Sequence, residues 1–266
     1  MSTYYIILSA MAVMALIVFI VLFFLNAGYG YLSTSNWGPK INNKTAWVLM
    51  ECPAFLFLLY YTLDFAASGV ETGNDKFVLY VMAGLFLLHY FQRSFIFPLL
   101  MKGKSTTPVA IMAMGMVFNT LNSFLIAGWM FGIPGLMPAQ APDGYYTAEW
   151  FFDPRFIIGT VIFFVGMAIN INSDHVIRNL RKPGDTKHYI PKKGMYKYVT
   201  SANYFGELVE WTGYAILTWS PAGLLFAVWT FANLGPRAKS LTAKYEEEFG
   251  EEYTSLNKKN LIPFIW

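Results

Sequence analysis

Six ionisable side chains fall within stretches that are otherwise apolar, and several asparagines accompany them. An ionisable group inside a membrane span costs about 2.5–3.5 kcal/mol on insertion scales, so such groups usually face the interior of a helix bundle and serve a function. Simple pairing between helices is the alternative for one or two of them. Asp64 illustrates this alternative, because it lies near a helix end where it could reach water. The other groups together favour a binding cavity. The complete set is Glu51, Asp64, His89, Arg93, Glu207, Glu210, Asn119, Asn122, Asn170, Asn172 and Asn203.

Many of these polar residues recur at helical spacing and form two stripes. Steps of three and four place side chains on one helix face. Both stripes lie next to basic loops, so together they predict a polar cavity open to the cytoplasm. Arginine and lysine there suit a phosphorylated ligand, although a basic loop touching anionic lipid is equally compatible. One stripe is Asn170, Asp174, Arg178 and Arg181, and the other is Asn203, Glu207, Glu210 and Tyr214.

The composition excludes an ordinary soluble domain. Of 266 residues, 56% are hydrophobic and 13% are charged, whereas a soluble domain has about 25% charged residues. The one cysteine, Cys52, excludes an internal disulfide framework and a Cys-rich metal site. The three histidines are scattered, so no metal is expected. The basic loops are short and adjoin a membrane, so no nucleic acid is expected either.

The apolar runs predict an all-α, polytopic membrane protein with seven transmembrane helices. A hydrocarbon core of about 30 Å requires about 20 apolar residues in a helix. We expect a single domain over residues 1–266, ending in a cytoplasmic tail over 235–266. The predicted spans are 4–26, 47–68, 77–100, 109–133, 156–171, 204–219 and 222–234.

The basic residues are distributed asymmetrically between the loops. One alternate set of loops contains 16 of the 19 Lys and Arg residues. The positive-inside rule then places the N-terminus outside and the C-terminus in the cytoplasm. The membrane would be that of the endoplasmic reticulum in a eukaryote or the inner membrane in a bacterium. The basic set comprises 27–46, 101–108, 172–203 and the tail.

Several motifs, in this order, resemble the steroid 5α-reductase family. The similarity runs from about Trp47 to Trp266. It implies a seven-span enzyme that transfers a hydride from NADPH to the C4–C5 double bond of a 3-oxo-Δ4 steroid. The motifs are Leu49–Phe55, His89–Phe95, Asn170–Asp174, Leu180–Gly184, Ala202–Glu207, Glu210–Trp211 and Leu261–Phe264.

The resemblance also implies site residues. Glu51 and Tyr90 would hydrogen bond the steroid 3-keto oxygen, where negative charge develops during hydride addition. Trp47, one turn before Glu51, is a candidate wall for a flat substrate and equally a candidate anchor at the membrane interface. We expect the tail from Arg237 to Phe249 to form a surface helix across the cytoplasmic mouth. The family's cofactor positions match Asn170, Asp174, Arg181, Asn203, Glu207 and Tyr245, and Arg93, Lys102, Lys104 and Arg237 are the basic candidates for its phosphates.

Two other functions remain open at this point. A related membrane reductase could use the same hydride chemistry on a long-chain enoyl thioester or an isoprenoid enone. A non-enzymatic transporter or lipid-binding protein would also explain the intramembrane charge, but it predicts no NADPH binding. Membrane lipid is expected around any of these proteins, and the sequence does not define an oligomeric state.

Overall fold

The structure is a computed structural model that describes residues 2–25, 32, 37–103, 105–182, 185 and 187–266. It is mostly helical, as predicted. Lys104 lies outside the described residues. The helices are α1 (Thr3–Phe24), α2 (Asn43–Ser68), α3 (Lys76–Phe91), α4 (Phe97–Leu100), α5 (Val109–Met130), α6 (Pro154–Arg178), α7 (Ala202–Thr218), α8 (Pro221–Phe249) and α9 (Glu251–Thr254).

Four of the helices are long and apolar enough to cross a membrane: α1, α2, α5 and α6. They contain 22 to 26 residues each, which at 1.5 Å per residue is about 33–39 Å. Their mean hydropathy lies between 1.5 and 3.1. These helices indicate a multi-pass membrane protein.

The C-terminal helices differ in extent from the predicted spans. A span ending near residue 234 and a separate surface helix from Arg237 were expected, but α8 is one helix through Pro236. Proline removes one backbone N–H from the helix. The helix continues because residues 234–238 are all buried, so packing stabilises this turn. Helix α6 likewise extends to Arg178, beyond the predicted end at residue 171.

A π-helical turn, Gln92–Ile96, joins α3 to α4 and carries Arg93. It lies just before Pro98, which cannot donate a backbone hydrogen bond to the preceding turn. Wider turns of this kind are frequent at functional sites. The predicted span 77–100 is therefore a helix with a local widening at Arg93.

A short antiparallel sheet, which the sequence analysis did not predict, links the starts of α2 and α5. Strand β1 (Lys40–Asn42) pairs with β2 (Thr106–Pro108), with Ile41 opposite Thr107. Helix α2 follows β1 directly and α5 follows β2 directly, so the sheet ties the starts of the two helices together. Glu51 and Asn119 then lie about 12 Å and 15 Å along their helices, at similar heights.

Helices α6 and α7 approach closely at glycines. A Cβ added at Gly166 would lie 2.2 Å from the backbone nitrogen of Glu210, and one at Gly206 would lie 2.4 Å from that of Asn170. Gly159 and Gly213 make equally close approaches one heptad away. Small residues at helix contacts allow such backbone proximity in membranes. This contact brings the two predicted polar stripes together.

Candidate active site

A cavity of about 2030 Å³ lies among α1, α2, α3, α5, the C-terminal part of α6, α7 and α8, and it extends along the segment that follows α6. Ligand pockets for single small molecules measure about 300–1,000 Å³, so this cavity has room for two. Asn170 was predicted to bind the cofactor, but it does not line the cavity. The predicted site residues that line it are Trp47, Glu51, Tyr90, Arg93, Lys102, Asp174, Arg181, Asn203, Glu207, Arg237 and Tyr245.

Glu51 and Tyr90 meet at one side chain, that of Asn119 on α5. The Tyr90 hydroxyl donates to Asn119 Oδ1 at 3.0 Å. Asn119 Nδ2 donates to Glu51 Oε2 at 3.1 Å and to the Met50 carbonyl at 2.8 Å. The carboxyl of α2 and the phenol of α3 are therefore held on one wall of the cavity.

Sequence reasoning noted Asn119 as a polar residue in a span but gave it no role. Asn119 belongs to neither polar stripe, and its partners are 68 and 29 residues away along the chain. The one usable signal was its position in an uncharged span, where an amide requires a partner. That signal indicates a partner but does not identify it.

Arg93 is the centre of a second buried network. Its Nη1 donates to Asp174 Oδ2 at 2.9 Å, and its Nη2 lies 3.6 Å from Glu207 Oε2. The guanidinium also lies 4.6 Å from the Trp47 ring centroid and 4.4 Å from that of Phe97. A planar guanidinium can pair with carboxylates at its edge and stack on rings at its faces. Trp47, predicted as a substrate wall, lines the cavity and also stacks on Arg93.

The two polar stripes join through asparagines. Asn170 Nδ2 donates to the backbone carbonyl of Asn203 at 2.9 Å, so Asn170 supports the cavity wall from behind. Asn203 Nδ2 donates to Asp174 Oδ1 at 3.3 Å, and the Tyr196 hydroxyl donates to Asn203 Oδ1 at 3.3 Å. These bonds fix the start of α7 against α6.

The α7 stripe divides along its length. Asn203 and Glu207 line the cavity, whereas Glu210 and Tyr214 are buried against α3. Glu210 Oε1 lies 2.8 Å from His89 Nδ1, and the Tyr214 hydroxyl donates to the Met82 carbonyl at 3.4 Å. The division arises because α3 packs against the farther half of α7.

Basic side chains gather where α6 ends. Lys102 Nζ donates to Asn179 Oδ1 at 2.8 Å, and Arg237 Nε donates to the Tyr204 hydroxyl at 2.6 Å. Arg178, Arg181 and Lys182 line the same region. This cluster offers both the bidentate and the point-charge donors that phosphate groups prefer.

Tyr245 closes this region from the far end of α8, beyond the predicted span. Its ring stacks on Tyr253 with centroids 5.4 Å apart. Burial raises the pKa of the Tyr245 hydroxyl to about 12, so this group remains a proton donor at neutral pH. Among the residues described, no group of three His, Cys, Asp or Glu is arranged to hold a metal ion.

The fold and site together define a helical, multi-pass membrane protein whose large internal cavity combines apolar helix faces with a buried charged network. The family model described as 3-oxo-5-alpha-steroid 4-dehydrogenase matches residues 105–266. The chain is 38% identical over 241 residues to 3-oxo-5-alpha-steroid 4-dehydrogenase 1 of Macaca fascicularis, covering 91% of this chain and 86% of that protein. It is 38% identical over 263 residues to steroid 5-alpha-reductase DET2 of Gossypium hirsutum, covering 97% and 96%.

The human 3-oxo-5-alpha-steroid 4-dehydrogenase 1 is 37% identical over 241 residues, covering 91% of this chain and 87% of that protein. Mammalian and plant relatives thus match almost the whole chain. The protein belongs to the steroid 5α-reductase family. The family membership that the sequence motifs indicated is confirmed.

Proposed function

We propose that this protein uses NADPH to reduce the C4–C5 double bond of a 3-oxo-Δ4 steroid to the 5α product. The observation that carries the proposal is the joint hydrogen bonding of Glu51 and Tyr90 to Asn119 on the wall of a cavity large enough for two ligands. Family membership supports the steroid as substrate. The buried charged network supports the nucleotide.

The side chains of the cavity have the chemistry that binding a dinucleotide phosphate requires. Arg181, Lys182 and Arg237 supply positive charge where α6 ends. The N-terminus of α7, where Ser201 makes no side-chain cap, lies beside Arg237 and suits an anionic group. Asp174, Asn203 and Glu207 supply acceptors for ribose hydroxyls and a carboxamide. NADPH, when bound, supplies the hydride for the reaction.

Glu51 and Tyr90 act on the substrate. As the hydride reaches C5, the electrons of the C4–C5 double bond move toward C3 and negative charge grows on the 3-keto oxygen. The Tyr90 hydroxyl and a protonated Glu51 carboxyl each donate a hydrogen bond to that oxygen. A donor of this type contributes about 2.7–4 kcal/mol to the transition state. A proton from solvent then adds at C4 and restores the ketone.

The apolar part of the cavity suits a flat lipid. Ile17 and Val21 of α1 and Val117 and Phe118 of α5 line it. Buried apolar contact supplies most of the binding free energy for such a ligand. The site then confers specificity through its few polar groups at the Glu51 end.

We propose seven spans, with the N-terminus outside and the tail in the cytoplasm. Helices α3, α7 and α8 would be the remaining spans beside the four apolar ones. Helices α3 and α7 are shorter, at 16 and 17 residues, and α3 continues through the π-helical turn into α4. Their polar residues face the cavity or one another, which allows them to cross the bilayer. The distribution of Lys and Arg between the loops supports this orientation.

Isotope transfer tests the proposal directly. Purified protein is incubated with deuterated NADPH and a Δ4-3-ketosteroid, and the product is examined by mass spectrometry and NMR. We expect one deuterium at C5 of a 5α product. Reduction of a long-chain enoyl thioester or an isoprenoid enone in place of the steroid would reassign the substrate. Absence of NADPH binding would favour a non-enzymatic lipid carrier and contradict the proposal.

A further inference from the structure

Asn119 uses all of its side-chain groups within the site. Its two N–H groups donate to the Met50 carbonyl and to Glu51, and its oxygen accepts from Tyr90. The residue is 4% exposed. Hydrogen bonds in such a low-dielectric setting are strong, and an unpaired group there is costly.

The Met50 carbonyl fixes which way this amide points. A flipped amide would place its oxygen against the carbonyl oxygen of Met50, so the nitrogen faces α2 and the oxygen faces Tyr90. Tyr90 has a single proton to donate. In the structure that proton is directed at Asn119 and not at Glu51.

Without Asn119, the phenol would find another acceptor nearby. The Glu51 carboxyl is the group on the other side of the amide. A buried phenol without a hydrogen-bond partner is costly, so the Tyr90 hydroxyl would turn toward that carboxyl. Direct pairing of Tyr90 with Glu51 would point the phenol proton at the carboxyl and draw both groups away from the position of the substrate oxygen.

We propose that Asn119 is the positioning residue that keeps Glu51 and Tyr90 apart and oriented, so that both can donate to one carbonyl oxygen. This inference rests on the proposed function and deepens it. In the free enzyme the Tyr90 hydroxyl donates a weak hydrogen bond to the Asn119 amide. When substrate binds, the hydroxyl donates to the more strongly polarised enone oxygen instead. Asn119 acts through these two residues and does not touch the reacting carbons.

Two substitutions separate this role from a structural one. Asn119→Leu keeps the approximate volume and removes every hydrogen bond. Asn119→Asp keeps the acceptor for Tyr90 but can donate toward Glu51 only while it is protonated. Ser123→Ala, one turn further along α5, is the matched control, because the buried Ser123 hydroxyl bonds to the backbone of its own helix.

We expect Asn119→Leu to lower kcat roughly 10- to 100-fold, the range that follows a displacement of about 1 Å in a catalytic group. The KM for steroid should change little, since the apolar walls are intact. NADPH should still raise the melting temperature of the variant. The infrared C=O stretch of bound ketosteroid should shift toward its value in an apolar solvent, because the oxygen loses donors.

The Asn119→Asp variant is tested by its pH profile. Its kcat should approach that of wild type at acidic pH and fall toward that of Asn119→Leu as the new carboxyl ionises. Ser123→Ala should match wild type in kcat, pH profile and C=O stretch. This set of results would support the positioning role.

The decisive experiment measures kcat, the pH profile and the C=O stretch for wild type, Asn119→Leu, Asn119→Asp, Ser123→Ala, Glu51→Gln and Tyr90→Phe. Two results would overturn the role of Asn119, provided that Glu51→Gln loses turnover. One is an Asn119→Leu kcat within twofold of wild type. The other is an Asn119→Asp pH profile identical to that of wild type. The pH profile of Asn119→Asp still tests the proposal if Asn119→Leu does not fold. If Glu51→Gln and Tyr90→Phe also match wild type, the proposed roles of Glu51 and Tyr90 fail as well. The proposed function itself fails if wild type forms no 5α product.

Discussion

His89 and Glu210 form a buried pair between α3 and α7, with Nδ1 of the imidazole 2.8 Å from Oε1 of the carboxyl. They are 121 residues apart along the chain. Glu210 is fully buried, and its second oxygen finds no hydrogen-bond partner among the described residues. His89 precedes Tyr90 and lines the cavity, so this pair connects the site to the packing of the bundle.

Removing one partner of this pair should destabilise the protein strongly. Glu210→Leu leaves a buried imidazole unpaired, and loss of one partner of such a pair costs about 3–5 kcal/mol. A melting temperature lower by roughly 10 °C is the expected result in detergent. The double variant His89→Leu/Glu210→Leu should recover most of this loss, because both polar groups are gone.

An exposed pair provides the control for this cycle. Lys192 and Glu252 lie 3.1 Å apart with more than half of each side chain exposed. Such surface pairs contribute about 0–1 kcal/mol, so Glu252→Ala should leave the melting temperature almost unchanged. A double variant at 89 and 210 no more stable than either single variant would contradict the pairing.

The glycine contact between α6 and α7 should be equally sensitive. In Gly166→Ala, the new Cβ would lie 2.2 Å from the Glu210 backbone nitrogen, so the helices must move apart. We expect a lower melting temperature and weaker stabilisation by NADPH, since Asn203 and Asp174 would separate. Thermal unfolding with and without NADPH measures both effects.

Gly84 of α3 is the matched control for Gly166. It lies on an exposed helix face with nothing within 4 Å of its Cβ direction. Alanine is favoured over glycine in a helix by about 0.8–1.0 kcal/mol, so Gly84→Ala should be neutral or slightly stabilising. A Gly166→Ala protein as stable as Gly84→Ala would show that the close approach has no role.

The sequence predicted the helices well but their partners poorly. Apolar runs of the length of a membrane span located the four long apolar helices α1, α2, α5 and α6, because chain length and hydropathy are local properties. Helices also occur at the other three predicted positions. The small sheet before α2 and α5 and the passage of α8 through Pro236 were missed. Both depend on contacts between distant segments that no local pattern records.

The same limit applies to the site residues, since local patterns indicated which residues are polar and buried but not which residues they contact. The cost of buried charge indicated Glu51, Arg93 and Glu207, and the family motifs added Tyr90. The partner relationships of Asn119 and His89 were not predictable, since each joins helices that are far apart along the chain. The stacking of Trp47 on Arg93 was missed for the same reason.

Arg93 should not tolerate a conservative change. Lysine carries the charge, but it cannot stack between Trp47 and Phe97 while it bridges two carboxylates. Loss of one charge-assisted hydrogen bond is worth about 1.5–3 kcal/mol, so Arg93→Lys should weaken NADPH binding about tenfold or more. A thermal-shift titration with NADPH measures the change.

Arg155 is a comparable arginine away from the cavity. It pairs with Asp153 at 2.8 Å and stacks on Trp150 at 4.4 Å. Arg155→Lys should leave NADPH affinity unchanged. If both variants bound NADPH like wild type, the Arg93 network would have no part in cofactor binding.

Lys258 gives the protein a pH-dependent stability in its C-terminal segment. Its Nζ donates to the Pro191 carbonyl at 2.6 Å. Burial, with a smaller effect of Lys192, lowers the pKa of Lys258 from 10.5 to about 8. Between these values the unfolded chain binds more protons than the folded one, so stability rises with pH across that window.

The variant Lys258→Met should lose this rise. Melting temperatures between pH 7.5 and 10.5 should increase more for wild type than for Lys258→Met. The exposed neighbour provides the comparison, and Lys259→Met should keep the wild-type slope. Equal slopes for all three proteins would show that Lys258 is not desolvated.

The most direct test of the central claim is turnover of a Δ4-3-ketosteroid with NADPH by wild type, Glu51→Gln and Tyr90→Phe, with Tyr60→Phe on the exposed face of α2 as control. We predict that each site variant loses about 10²- to 10³-fold in kcat while NADPH still raises its melting temperature, and that the control matches wild type. Wild-type turnover in both site variants would contradict the claim that this buried carboxyl and phenol polarise the enone.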